Sequence, residues 1–222
     1  MEARVVSLRT GCVTHLPRPE WERHRGATWR SAYVKSETNG PVRVTTLGLE
    51  GDEQFDRRVH GGPDRALLAY AGSHYAKWRA ETGLDAMGPG GFGENLTLAG
   101  VDESSVCLGD RWTSGDVGLE VSQPRGPCAN ISRRWNHPRL LELSTQLVRI
   151  GWYLRVRSEG ALAGGATMQL ASRPHPEWTI ERIFRLRLEP GRDPDGVRWL
   201  SASGVLTSDW RGWFATRAAR AP

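Results

Sequence analysis

Val117-Gly118-Leu119-Glu120-Val121, running into Ser122-Gln123-Pro124-Arg125-Gly126-Pro127-Cys128, is a strand-like run that ends on a stiff loop and a thiol. The prolines fix φ on either side of Arg125-Gly126, and glycine lets backbone approach a ligand closely, so Cys128 is held at the mouth of a sheet. A neighbouring guanidinium favours thiolate over thiol, and the thiolate is the form that ligates a metal or attacks an electrophile. The same residue types also suit a small buried hydrophobe. The rest of the chain decides between the two.

Strand-like runs recur through most of the 222 residues. Those expected are Ala3 to Leu8, Ser31 to Lys35, Pro41 to Leu47, Arg65 to Tyr70, Asn95 to Leu98, Arg111 to Thr113, Gly118 to Ser122, Gly151 to Val156 and Thr167 to Ser172. They are short and bounded by Gly, Pro, Asn and Asp, which suggests a curved sheet or barrel with helical insertions. Two helices are expected to interrupt them, Ser73 to Thr82 between Gly72 and Gly83, and Pro138 to Gln146.

After Arg173-Pro174-His175-Pro176 the pattern turns helical. Thr179 is a natural N-cap for a helix through Glu189, and Pro190-Gly191 ends it. Further helices are expected near Asp195 to Ala202 and Ser208 to Ala218, anchored by Trp199, Trp210 and Trp213. The expected organisation is a main domain over residues 1–173 and a small helical extension over 177–222. From Trp178 onward the chain carries eight Arg against five acidic residues, which reads as a solvated face or a docking surface for an acidic partner.

The 38% hydrophobic content is ordinary for a folded chain, and no run approaches a membrane span. Met1-Glu2-Ala3-Arg4-Val5 lacks the apolar core of a signal peptide, so a cytoplasmic location is expected. Three cysteines, Cys12, Cys107 and Cys128, without C-x-x-C argue against a disulfide framework or a zinc knuckle. The net charge of +5 suits anionic substrates or cofactors as well as nucleic acid. All but two of the 30 basic residues are Arg, the exceptions being Lys35 and Lys77. Lys77 reads as a solvated helix residue. Lys35, after Ala32-Tyr33-Val34, is the candidate for a site that needs a compact point charge.

Two further segments carry chemistry. In Gly48 to Leu67, the pair Gly61-Gly62 can turn N–H groups toward an anion, with His60 and Arg65 as flanking donors; a polar hairpin loop is the plainer alternative. Asp52 and Asp56 there are expected to orient arginines. In Pro89-Gly90-Gly91-Phe92-Gly93-Glu94-Asn95, backbone can approach a planar ligand and Asn95 can read its edge; the plainer alternative is a flexible connector with Glu94 in solvent. No P-loop, dinucleotide fingerprint, G-x-S-x-G elbow or H-E-x-x-H occurs.

G-L-E-G-D-E-Q at 48–54, V-H-G-G-P-D-R-A at 59–66, H-Y-x-x-W at 74–78, F-G-E-N-L at 92–96, G-D at 109–110 and S-Q-P-R-G-P-C at 122–128 stand in the order of the MOSC domain, and the chain resembles its YiiM type. The resemblance spans almost the whole chain. It implies an α+β, mainly β fold: a strongly bent, barrel-like sheet with peripheral helices and a C-terminal helical extension. It implies molybdenum cofactor (a molybdopterin) as ligand, and reduction of N-hydroxylated bases or amines such as 6-hydroxylaminopurine, with electrons from a separate redox protein. By the same resemblance Cys128 is the metal ligand and catalytic residue. Lys35, His60 and Arg65 hold an anionic part of the cofactor, Arg125 holds the thiolate, and Asn95 orients pterin or substrate. Pyridoxal phosphate, nucleic acid and membrane are not expected partners, and a homodimer stays open.

One departure concerns the first strand-turn, where relatives often have Gly-Lys and this chain has Gly11-Cys12. Arg23, Arg25 or Arg30 could take over the anion contact, and Cys12 is expected to be buried and structural. Alternatives from other classes are a cofactor or sulfur carrier without reductase turnover, a nucleic-acid binder using the basic tail, and a thiol redox protein pairing Cys128 with Cys12.

Overall fold

The computed structural model describes residues 1–56 and 60–220; Arg57, Arg58 and Val59 of the second segment lie outside the described residues. Seven strands close a barrel: β1 Glu2–Thr10, β2 Leu67–Ala71, β3 Leu96–Ala99, β4 Arg111–Ser114, β5 Val117–Pro124, β6 Trp152–Ser158 and β7 Thr167–Ser172. Around the barrel the order is β7-β4-β5-β6-β2-β3-β1, and β1 pairs back onto β7 to remove the edges. All pairings are antiparallel except β2 with β3.

The barrel forms because each strand turns an apolar face inward. In β1, Ala3, Val5 and Leu8 are buried while Glu2, Arg4 and Val6 face out. They meet Leu67, Leu96, Trp112, Leu119, Val121, Trp152 and Leu154 in one core. β5 is buried along its whole length, because elements also cover its outer face.

Outside the barrel, α1 Ser73–Thr82 begins after Gly72 and stops at Gly83, whose φ of +68° is the left-handed turn that glycine favours. It seals an aromatic cluster in which Tyr70 stacks on Phe92 at 4.4 Å and Trp78 Nε1 donates to Tyr70 Oη at 2.7 Å. Two short helices follow β5, α2 Asn130–Trp135 and α3 Leu140–Gln146. At the C-terminal end, α4 Ile180–Leu188 is capped by Thr179, whose Oγ1 accepts from Arg182 N at 3.1 Å. Asp193 caps α5 Pro194–Ala202, and α6 Ser208–Ala218 closes the fold. Trp178, Phe184, Leu200, Trp210 and Phe214 of this end share a core with Leu108, Val148 and Ile150. Among the described residues no helix is long and apolar enough to cross a membrane.

Three stretches differ from expectation. Pro63–Arg65 is a 3-10 turn and the strand begins only at Leu67. The expected strand Ser31 to Lys35 instead ends at Ser31, where Ser31 Oγ accepts from Tyr33 N at 3.0 Å and the chain turns Tyr33 inward. Before it lies an unforeseen hairpin, Thr14–Pro17 with Thr28–Ser31, bridged by a 3-10 helix Glu20–Arg25.

Candidate functional site

A cavity of about 660 Å³ opens beside the Cys128 loop, within the size range of small-molecule sites. Lys35, His60, Arg65, Asn95, Arg125 and Cys128, scattered over 94 positions of sequence, all line it. The path from β5 explains the placement of the thiol. Val121 pairs with Leu154 and Gln123 with Tyr153, so Ser122 is an extra residue that bends the strand. Its hydroxyl lies 2.6 Å from Asp64 O and 3.1 Å from Tyr153 O. The next residues leave the barrel through Arg125, whose backbone N–H donates to Gly151 O at 3.0 Å, and reach Cys128 just before α2.

Burial pushes the Cys128 thiol up, but a hydrogen bond from His60 and the charges of Arg125 and His60 outweigh it and bring the pKa down to about 7. Arg125 is itself buried, with Nη1 donating to Phe92 O at 2.6 Å and the guanidinium 5.7 Å from the Tyr33 ring centre. Burial opposes its charge, yet Tyr33 and Cys128 beside it raise its pKa, so it stays a cation. Its Nε has no hydrogen-bond partner.

The Phe92 carbonyl is fixed by Glu94. That carboxylate is fully buried and accepts from Gly90 N at 2.7 Å, Phe92 N at 3.1 Å, Thr97 Oγ1 at 2.7 Å and the Tyr75 hydroxyl. The expectation of a flexible connector with Glu94 in solvent is thereby corrected: the glycine loop wraps an internal anion that satisfies its N–H groups.

Lys35 does not stand alone. Its Nζ pairs with Asp52 Oδ1, both side chains being almost wholly buried, and the same carboxylate accepts from Gly11 N at 2.8 Å and Asn95 Nδ2 at 2.9 Å. Asp52 therefore holds the lysine, while Arg57 and Arg58, two of the arginines it is expected to orient, lie outside the described residues. Asn95 also donates to Arg9 O at 3.2 Å and accepts from Leu68 N at 3.1 Å, so its carboxamide is engaged within the protein. Asn95, expected to read a ligand edge, lines the cavity and there holds Asp52.

Arg65 is placed by the turn that follows Gly62 and donates through Nε to Gln123 Oε1 at 3.4 Å. Its Nη2 pairs with Asp209 of α6, and Thr207 Oγ1 donates to the same Gln123 oxygen at 2.5 Å. His60 lines the cavity with its backbone N–H on Asp56 O at 2.9 Å.

A further part of the wall comes from the unforeseen hairpin. Arg18, Arg25, Trp29 and Arg30 line the cavity there, joined by Arg133 of α2; Arg23 does not. Behind them Glu22 accepts from Arg133 Nε at 2.6 Å and Nη2 at 3.0 Å, and from Arg18 Nη1 at 2.9 Å. Of the ten tryptophans, Trp29 is the one in the cavity wall, a choice that sequence alone did not make. Cys12 is exposed, correcting the expectation that it is buried.

A model of the MOSC domain matches residues 56–169. The chain belongs to the MOSC domain family. It is 37% identical over 183 residues to Protein YiiM of Escherichia coli, with 81% of each chain covered. It is 38% identical over 168 residues to a Gibberella moniliformis protein named "Reductase", covering 73% of this chain and 30% of that longer one. The crystal structure of YiiM from Geobacillus stearothermophilus superposes with a TM-score of 0.80 at 27% identity, covering 97% and 99% of the two chains. The expected MOSC-like, mainly β architecture is thus observed as a closed barrel with peripheral helices.

MOSC domains are molybdenum-cofactor-binding domains, and the residues of this cavity suit such a group. Among the described residues no three His, Cys, Asp or Glu side chains gather as a ligand set for a bare ion. A metal held here would have to arrive with ligands of its own, leaving one position for a soft thiolate such as Cys128. The buried, unpartnered Arg125 Nε and the cationic lining provide for an acceptor-rich, anionic guest.

Proposed function

We propose that this MOSC protein is a molybdenum-cofactor-dependent reductase of N-hydroxylated bases or amines. The observation that carries the reading is the Cys128 thiol, brought to about 7 by His60 and Arg125 at the wall of a cationic cavity. At neutral pH about half of such a thiol is thiolate, the form that binds a soft metal. In this reading Cys128 is the protein's ligand to molybdenum, and His60 keeps an N–H donated to the sulfur. Arg125 compensates the thiolate charge. Lys35, held by Asp52, and Arg65, held by Gln123 and Asp209, take the anionic part of the cofactor.

When bound, the cofactor supplies the two-electron redox chemistry, which no side chain of the cavity offers. The overall reaction breaks the N–O bond of an N-hydroxylated substrate. Two electrons from a separate redox protein and two protons convert it to the amine and one water. The chain's own residues orient the substrate and keep the thiolate available. The relative named "Reductase" favours turnover over a carrier role without redox chemistry. Protein loaded with cofactor and supplied with a competent electron donor should convert a hydroxylaminopurine to the aminopurine. Retention of cofactor without any such conversion would favour the carrier.

A further inference from the structure

The cationic lining falls into two sets. Lys35, His60, Arg65 and Arg125 stand with Cys128, and the proposed cofactor engages them. Arg18, Arg25 and Arg133 form a separate set on the hairpin and α2, gathered around Glu22. Glu22 does not line the cavity, while its three arginines do. One carboxylate against three guanidiniums leaves a charge of about +2 facing the cavity from this wall, close to what a phosphate monoester neutralises at pH 7. A carboxylate ligand would leave half of it uncompensated.

The same wall carries an aromatic platform. Trp29 lies beneath the Arg133 guanidinium, 5.7 Å from its ring centre, and lines the cavity. Its Nε1, and the Nε of Arg18, are buried N–H groups without a partner. Both belong to this wall, and both can only donate, so an oxygen-rich guest is what the wall lacks. Arg30 stacks over Phe55 at 5.3 Å beside them, and both line the cavity.

We propose that the hairpin wall of Arg18, Arg25, Trp29 and Arg133 is a second, phosphate-binding subsite, and that the substrate is a nucleoside monophosphate carrying the N-hydroxylated base. Arg25 can offer a phosphate its forked N–H donors, Arg18 its buried Nε–H, and Arg133 its charge, while an indole suits a base through stacking. The inference rests on the reductase reading for the reaction, and on the wall alone for the phosphate.

The test compares binding of AMP, adenosine, adenine and inorganic phosphate to the full chain by calorimetry, with molybdenum content measured on the same preparations. AMP should bind at least about tenfold tighter than adenine or adenosine, the gain of a charge-assisted phosphate contact, and the gain should shrink with added salt. Arg25→Ala should cut the AMP preference to about threefold or less, leave molybdenum content unchanged, and be partly restored by Arg25→Lys. Arg25 is the variant of choice because its side chain is 61% exposed and makes no close hydrogen bond. Equal affinity for AMP and adenine, or an AMP preference untouched by Arg25→Ala, would overturn the subsite. Tight, Arg25-dependent AMP binding by protein that never retains molybdenum would keep the subsite and overturn the reductase reading instead.

Discussion

Arg65 in the cavity wall is paired with Asp209 in the first turn of α6, so the helical end of the chain reaches the candidate site directly. Thr207, one residue before that helix, meets Arg65 again through Gln123. The main core of this end is also shared, since Leu108, Val148 and Ile150 pack against Phe184, Trp210 and Phe214.

A chain ending at Arg173 should therefore not behave as a self-sufficient domain. Each large apolar side chain that loses its cover forfeits about 1.5–3 kcal/mol, and several do so together against a total stability of about 5–15 kcal/mol. Soluble truncated protein with cooperative thermal unfolding close to that of the full chain would contradict the shared core. Asp209→Asn alone should change stability by no more than about 1 kcal/mol, because that carboxylate is 65% exposed.

The thiol gives a pH prediction. In cofactor-free protein, alkylation of Cys128 by iodoacetamide should rise with a midpoint of about 7. His60→Ala removes the hydrogen bond that most favours the thiolate and should move the midpoint upward. The folded value lies below that of an unfolded thiol, so this group stabilises the fold fully above the unfolded value, and the contribution is lost as pH falls through about 7. An unchanged midpoint in His60→Ala would remove His60 from the account of the thiolate.

Glu22 supports the hairpin wall. Its pKa is lowered chiefly by the hydrogen bond from Arg133, against the opposing effect of burial. Glu22→Gln leaves three arginines without their anion, two of them hydrogen-bonded to it, and should destabilise the protein by about 3 kcal/mol, measured by urea unfolding at pH 7. The wild-type contribution is present above the ordinary carboxylate range and fades as pH falls through the lowered value. The gap between the two proteins should accordingly narrow in acid. A constant gap from pH 7 to pH 3 would show that the carboxylate's charge is not what matters.

Glu94→Ala should be more damaging, by about 3 kcal/mol or more, because Gly90 N, Phe92 N, Thr97 Oγ1 and the Tyr75 hydroxyl all lose their acceptor in the interior. Any folded Glu94→Ala protein should also show a raised Cys128 midpoint, since the Phe92 carbonyl that anchors Arg125 is released. A wild-type midpoint in that variant would uncouple the glycine loop from the thiol.

Most strand runs and the helix Ser73–Thr82 were legible because Gly, Pro, Asn and Asp bound them, as Gly72 and Gly83 bound the helix. Cys128 and Arg125 were legible as chemistry from their Pro-Arg-Gly-Pro-Cys loop, His60 and Arg65 from the Gly61-Gly62 turn between them, and Lys35 from the rarity of lysine in this arginine-rich chain. Their partners were not. Asp52 reads as a partner for arginines and Glu94 as a loop acid, and only closure of the fold brings Lys35 onto the one and wraps the glycine loop around the other. The hairpin Thr14–Ser31 was missed for a similar reason. Its strands are only four residues each, and its order depends on Arg133, more than a hundred residues away. No local pattern signals an ion pair of that sequence separation.

The central claim is that Cys128 and its cationic neighbours hold molybdenum cofactor. The direct test is the molybdenum and pterin content of the full chain, purified anaerobically from a host that makes the cofactor, beside Cys128→Ser prepared in the same way. The account predicts near-stoichiometric molybdenum and pterin in the wild type and loss of molybdenum in the variant, with both proteins equally folded. Wild-type protein empty of both even after reconstitution, or Cys128→Ser retaining as much molybdenum as the wild type, would contradict it.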